Sequence, residues 1–162
     1  MRIAVLTVSD RCSAGTAADR SGPLISELLR DLAETAEYRI VPDDRKQISE
    51  ALVSFCDERC VDVVFTTGGT GFAPRDVTPE ATRDVIEKEA PGIPEAIRAE
   101  SLKITPRAML SRAVAGIRGK TLIVNLPGSP KAVRESLAVV IPVLPHALET
   151  LSGQTLSCGK EA

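Results

Sequence analysis

The residues best suited to chemistry in this chain are glycines, threonines, aspartates and arginines in short runs. Gly68-Gly69-Thr70-Gly71 places three glycines in four residues directly after Thr66-Thr67. Such a turn leaves backbone amides uncovered, and amides in this arrangement can converge on an anion. A tight turn with no ligand is the alternative on the loop alone. Neither standard phosphate-loop template fits, because there is no GxxxxGK[ST] and no GxGxxG here. A nucleotide at this turn would be held by a different loop.

Just downstream, Pro74-Arg75-Asp76-Val77-Thr78-Pro79-Glu80 sets a cation for phosphate next to a carboxylate for a metal. Thr78 is expected as a helix N-cap with Pro79 at the first helical position, so the positive end of a helix faces the same place. By themselves Arg75 and Asp76 could equally form a surface ion pair. Ser129-Pro130-Lys131 repeats the pattern of cap and basic residue, and alone it reads as a plain helix start. Carboxylates recur at Ser9-Asp10-Arg11 and Pro42-Asp43-Asp44. The only histidine, His146, sits among apolar residues, badly placed for a triad and suited to packing or surface. Cys12, Cys56, Cys60 and Cys158 form no metal-ligand pattern, since Cys56 and Cys60, four apart in an expected helix, lack a second pair. An inventory of carboxylates, hydroxyls, guanidiniums and glycine amides suits oxygen-ligated magnesium and phosphoryl chemistry.

The elements that must position these groups follow from hydrophobic period. Residues 2–8 form a short apolar run rich in β-branched side chains. A helix opens at Gly22-Pro23 with Leu24, Ile25, Leu28, Leu29 and Leu32 at helical spacing. A strand over residues 38–41 is stopped by Pro42, and a second helix carries Ile48, Ala51, Leu52 and Phe55 on one face. Residues 61–66 read as a strand buried on both faces. The helix starting at Thr78 is expected to run towards Glu89, and another spans Pro91-Gly92 to Lys103. Residues 112–119 suggest a short strand ending at Gly119, and 121–125 a clear one. Pro142 and Pro145 should break the last helix. Alternating strands and helices predict an α/β fold, a three-layer α/β/α sandwich with a mostly parallel central sheet. In such sheets ligands collect outside the carboxyl ends of the strands, where each polar cluster falls.

The chain has 162 residues, 43% of them apolar and 26% charged, the balance of one globular domain. We expect that domain over residues 1–153 and a flexible tail over 154–162. The net charge of -2 and the lack of tryptophan argue against a nucleic-acid or membrane surface. The N-terminal apolar run is too short for a signal peptide, and no stretch reaches the roughly 18 apolar residues of a bilayer span, so a cytoplasmic location is expected.

The run from Thr66 through Ala81 resembles the signature of the molybdopterin adenylyltransferase family (MogA/MoaB-like), whose fold also forms the G domains of plant and animal molybdenum-cofactor proteins. Further similarity lies in Val41-Pro42-Asp43-Asp44, Glu100-Ser101-Leu102-Lys103, Met109-Leu110-Ser111-Arg112, Gly116-Ile117-Arg118-Gly119 and Asn125-Leu126-Pro127-Gly128-Ser129-Pro130. These segments run in order from residue 3 to about 153. The resemblance implies transfer of an adenylyl group from ATP, with Mg²⁺, to molybdopterin with release of pyrophosphate. It implies that Asp43 and Asp76 are the catalytic and metal-binding acids, with Asp44 a possible substitute for Asp43. Substrate binding would fall to Gly68, Gly69, Thr70, Gly71, Arg75, Ser101, Ser111, Pro127, Gly128 and Ser129. It further implies a homo-oligomer, a trimer or hexamer, and the molybdenum-insertion protein as a partner. A non-catalytic molybdopterin carrier is the rival reading. A pyrophosphatase on a related domain is a third.

Overall fold

The structure, a computed structural model, describes residues 1–153; the expected tail and Cys158 lie outside the described residues. Strands β1 (Arg2–Val8), β2 (Glu34–Val41), β3 (Val63–Thr67), β4 (Lys88–Glu89), β5 (Ala115–Arg118) and β6 (Thr121–Leu126) form one sheet in the order β2-β1-β3-β6-β5-β4. Pairings β1–β2, β1–β3 and β3–β6 are parallel, while β5–β6 and β4–β5 are antiparallel. Between them run the helices α1 (Asp10–Ser13), α2 (Ser21–Leu29), α3 (Arg45–Val53), α4 (Thr78–Arg83), α5 (Gly92–Leu102), α6 (Pro130–Val140) and α7 (Leu144–Ser152).

Alternation along the strands divides the core in two, because successive side chains point to opposite faces. Ile3, Val5, Val63, Phe65 and Val124 pack with Ile25, Ile97, Leu137 and Leu144 of α2, α5, α6 and α7. Ala4, Leu6, Val64 and Ile123 pack on the other side with Ile48, Leu52 and Phe55 around α3 and with Ala81 of α4. The sheet is therefore covered on both faces, as the sequence predicts. β3, in mid-sheet, is buried along its whole length.

Three expectations need correction. β2 begins at Glu34, before the expected residue 38. Its first half is polar because it is an edge strand exposed to water, which hides it from an apolar pattern. Thr78 is not an N-cap: Val77 occupies that position and Thr78 is the first residue of α4. The Thr78 hydroxyl instead donates to the Gly68 carbonyl at 2.9 Å. Finally, α4 stops at Arg83, and Lys88–Glu89 is a short charged edge strand against β5 rather than the end of a helix. The last helix does break where its prolines require, through a 3₁₀ turn at Ile141–Val143.

Candidate active site

Because β2, β1, β3 and β6 run parallel and adjacent, their carboxyl ends bring the four polar clusters side by side along one edge. The turn at residues 68–71 is central among them. Gly68 has φ +99, and a side chain there would run into the Val8 carbonyl of β1. Gly69 has φ +63, and a Cβ would meet the Thr78 hydroxyl and come within 3.0 Å of Asp43 Oδ1. Both positions need glycine, for conformation and for room. A Cβ on Gly71 would stand 2.9 Å from Asp76 Oδ2. Asp43 and Asp76, distant in sequence, thus lie against the same bare turn. The second turn meets the first: a Cβ on Gly128 would lie 3.3 Å from the Gly68 Cα, and the Thr67 hydroxyl donates to the Pro127 carbonyl at 2.7 Å.

Asp10, at the end of β1, completes the acidic group. Its backbone N–H donates to Asp43 Oδ2 at 3.0 Å, and the Asp43 N–H donates to Asp10 Oδ1 at 3.0 Å. Arg75 grips both Asp10 oxygens through Nε and Nη2 at 2.8 and 2.7 Å. The basic residue therefore pairs with Asp10 and not with its neighbour Asp76. That guanidinium holds the Asp10 carboxyl below its ordinary range, helped by the Asp43 backbone. Asp43 behaves oppositely. Burial pushes its carboxyl up, and the charges of Asp10 and Asp76 push the same way, outweighing the Asp10 N–H and Arg75. Asp44 is spoken for: its carboxylate accepts the Gln47 N–H at 2.9 Å as the N-cap of α3. Of the Asp pair, Asp43 is the one facing the turn.

Two depressions flank this ridge. One, about 270 Å³, is lined by Thr70, Gly71, Ser101, Ser111, Pro127 and neighbours including Arg98 and Arg107. The other, about 320 Å³, is lined by Ser9, Asp19, Ser21, Thr67, Gly68 and Gly128 among others. Of the residues expected to bind substrate, Ser129 stands apart: its hydroxyl accepts the Ala132 N–H at 3.3 Å and caps α6. The remaining expected residues gather on the ridge or its two flanks.

The sequence presents Asp10 as a strand-end carboxylate without an assigned role, because its place beside Asp43 depends on the pairing of β1 with β2. Asp19 and Arg112 have no predicted role in the site. Asp19 accepts hydrogen bonds from the hydroxyls of Thr7 and Tyr38 and from the backbone of Ser21 and Gly22. Burial opposes its charge, but those bonds win and lower its carboxyl, while burial and Asp19 push the Tyr38 phenol up to about 12. Arg112 carries no local signal, because its partners lie more than 30 residues away.

Among the described residues, no group of three or more His, Cys, Asp or Glu side chains forms a ready metal cage. Two carboxylates beside a turn with uncovered amides suit magnesium, which keeps waters and takes ligands from substrate phosphates. Cys56 is buried and its thiol pushed up to about 11, chiefly by that burial, so it is no nucleophile. His146 is exposed on α7, 4.0 Å from Glu149, far from these groups in the fold.

The family described as "Probable molybdopterin binding domain" matches residues 4–146. A protein of Helicobacter pylori named molybdopterin adenylyltransferase is 46% identical over 99% of this chain and 93% of its own. Another of that name from Escherichia coli K12 is 44% identical over 85% of this chain and 72% of its own. The solved structure of the molybdopterin biosynthesis enzyme MoaB from Thermus thermophilus superposes with a TM-score of 0.89 at 50% identity, over 94% of this chain and 96% of that one.

Proposed function

The chain belongs to the molybdopterin-binding domain family, and from that premise we propose that it is an adenylyl-transferring enzyme of molybdenum-cofactor biosynthesis. It moves the adenylyl group of ATP onto the phosphate of molybdopterin and releases pyrophosphate. The observation that carries the mechanism is the approach of Asp43 and Asp76 to one glycine turn from separate elements. The binding domain is taken as residues 1–153.

A phosphate monoester has its second pKa near 6 and is already ionised at neutral pH. No general base is needed, which fits a site without histidine. The difficulty is repulsion: two charges at 4 Å oppose each other by about 4 kcal/mol at an effective dielectric near 20, and both reactants carry more than one. Asp43 and Asp76 would hold Mg²⁺ against the ATP phosphates. When bound, the ion neutralises charge on the triphosphate and its leaving group. The amides of residues 69–71 face the phosphates, while the Gly68 N–H donates to the Leu126 carbonyl at 3.4 Å, and Arg75 exchanges Asp10 for a phosphate oxygen. The flank carrying Ser101 and Ser111 takes the pterin, the flank carrying Ser21 and Gly128 the nucleotide. Ser129 acts there only indirectly, by capping α6 next to Gly128 of the second flank. The molybdopterin phosphate oxygen then bonds to the α-phosphorus in line, and the bond to the β-phosphate bridging oxygen breaks with its electron pair leaving on pyrophosphate.

Among the described residues no helix is long and apolar enough to cross a membrane, and ATP consumption fits a cytoplasmic site. Self-association, with a trimer as the proposed assembly, is supported only in general terms by exposed Leu102 at the end of α5 and exposed Ile104, Met109 and Leu110 just after it in the chain. A molybdenum-insertion protein would receive the product. With ATP, Mg²⁺ and molybdopterin supplied, we expect pyrophosphate and adenylylated molybdopterin to form in equal amounts. Binding of molybdopterin with no pyrophosphate released would make the chain a carrier instead.

A further inference from the structure

We infer that Arg112 is a positioning residue that sets the loop bearing Arg75 and Asp76 against the wall of the Ser111 depression. The inference rests on the adenylyl-transfer reading. Arg112 follows Ser111, which lines that depression. Its backbone N–H donates to the Thr70 carbonyl at 2.9 Å. Its Nε donates to the Gly71 carbonyl at 2.7 Å and its Nη2 to the Asp76 carbonyl at 2.6 Å. Its Nη1 pairs with Glu80 Oε1 on α4. One side chain therefore clamps both ends of the Gly71–Asp76 turn and fastens them to the helix that follows.

Within that turn the Asp76 side chain is fixed further, since Oδ2 accepts the Ala73 N–H at 3.0 Å and the Asp76 N–H donates to the Ala73 carbonyl at 2.9 Å. The position of the Asp76 carboxylate follows from the position of the turn. Another side-chain tie on this loop, Arg75 to Asp10, uses donors that phosphate would compete for. Arg112 differs because its side chain is 33% exposed against 64% for Arg75, and its donors are occupied by two loop carbonyls and Glu80. A planar guanidinium spreads its donors over three nitrogens in fixed directions, whereas the three N–H groups of a lysine ammonium radiate from a single nitrogen and cannot span these separated acceptors in the same geometry. Glu80 adds a second observation. Its other oxygen, Oε2, is buried without a hydrogen-bond partner. The pair with Arg112 is therefore the one side-chain hydrogen bond that Glu80 makes among the described residues.

The test compares the full chain with Arg112→Lys, first as free protein and then in turnover. Amide exchange over residues 71–77 of the free protein should quicken about 10-fold, with global melting little changed. In turnover, kcat should fall about 10- to 100-fold, the range for lost support of a metal-binding group. The Mg²⁺ concentration at half-maximal rate should rise several-fold, and KM for molybdopterin should hold within about 2-fold. Unchanged exchange with an unchanged Mg²⁺ requirement would overturn the inference, whatever happened to kcat. Should Arg112→Lys fail to fold, Glu80→Gln replaces it: about a 3-fold shift in both readouts is expected, and wild-type behaviour overturns the claim. If the wild type releases no pyrophosphate, the functional reading fails on that result alone, while the exchange comparison still judges Arg112.

Discussion

Asp43 pays the electrostatic cost of the site. Its carboxyl is raised by burial first and by Asp10 and Asp76 next, so in the absence of a cation its ionisation opposes folding. A group with a raised folded-state pKa favours the fold fully below its unfolded value and loses that advantage as pH rises through the folded value. Asp43→Asn should accordingly melt above wild type at neutral pH without divalent ions. The gap should narrow as pH falls through the folded pKa and vanish below the unfolded one. The same variant should lose adenylyl transfer by about 100-fold or more. Melting curves across pH, with pyrophosphate assays alongside, measure both. At this scale the sequence displayed the chemistry but not the pairing. Asp43 and Asp44 are equivalent as letters, and only the start of α3 commits Asp44 to a cap. Arg75 stands beside Asp76 in the chain, yet it reaches across to Asp10 because β1 and the loop after β3 end together.

Among the elements, strands buried on both faces were legible because continuous β-branched runs have few other uses: β1, β3 and β6 lie within a residue or two of expectation. The polar start of β2 and the charged β4 were not, since edge strands need no apolar period. Thr78 misled for a related reason. A threonine before a proline commonly caps a helix, but here its hydroxyl is drawn to the Gly68 carbonyl, tying α4 to the glycine turn. That tie makes the turn sensitive to one added methyl. Gly69→Ala must adopt φ +63 and crowd Thr78 and Asp43, whereas Gly15→Ala at φ +72 meets nothing within 4 Å. Gly15→Ala should therefore show the conformational cost alone, about 1 kcal/mol, with turnover intact. Gly69→Ala should be destabilised further and lose about 100-fold in kcat, because a displacement near 1 Å can cost that much. Urea midpoints and turnover of the two variants separate backbone strain from crowding.

For the whole molecule, the strand order β2-β1-β3-β6 converts four separated clusters into a row: Asp43, Asp10, the glycine turn and Pro127-Gly128. Parallel strands guarantee a common edge, and this much followed from alternating periodicity. Which cluster neighbours which depends on sheet order, and no local pattern encodes that. The central claim is that Asp43 and Asp76 share one divalent ion with the triphosphate on the bare turn. Its most direct measurement is anomalous diffraction from crystals grown with Mn²⁺ and a non-hydrolysable ATP analogue. The account predicts one strong peak within about 2.0–2.2 Å of an oxygen from each aspartate and of the analogue's phosphates. A nucleotide bound with its metal touching neither carboxylate would contradict it.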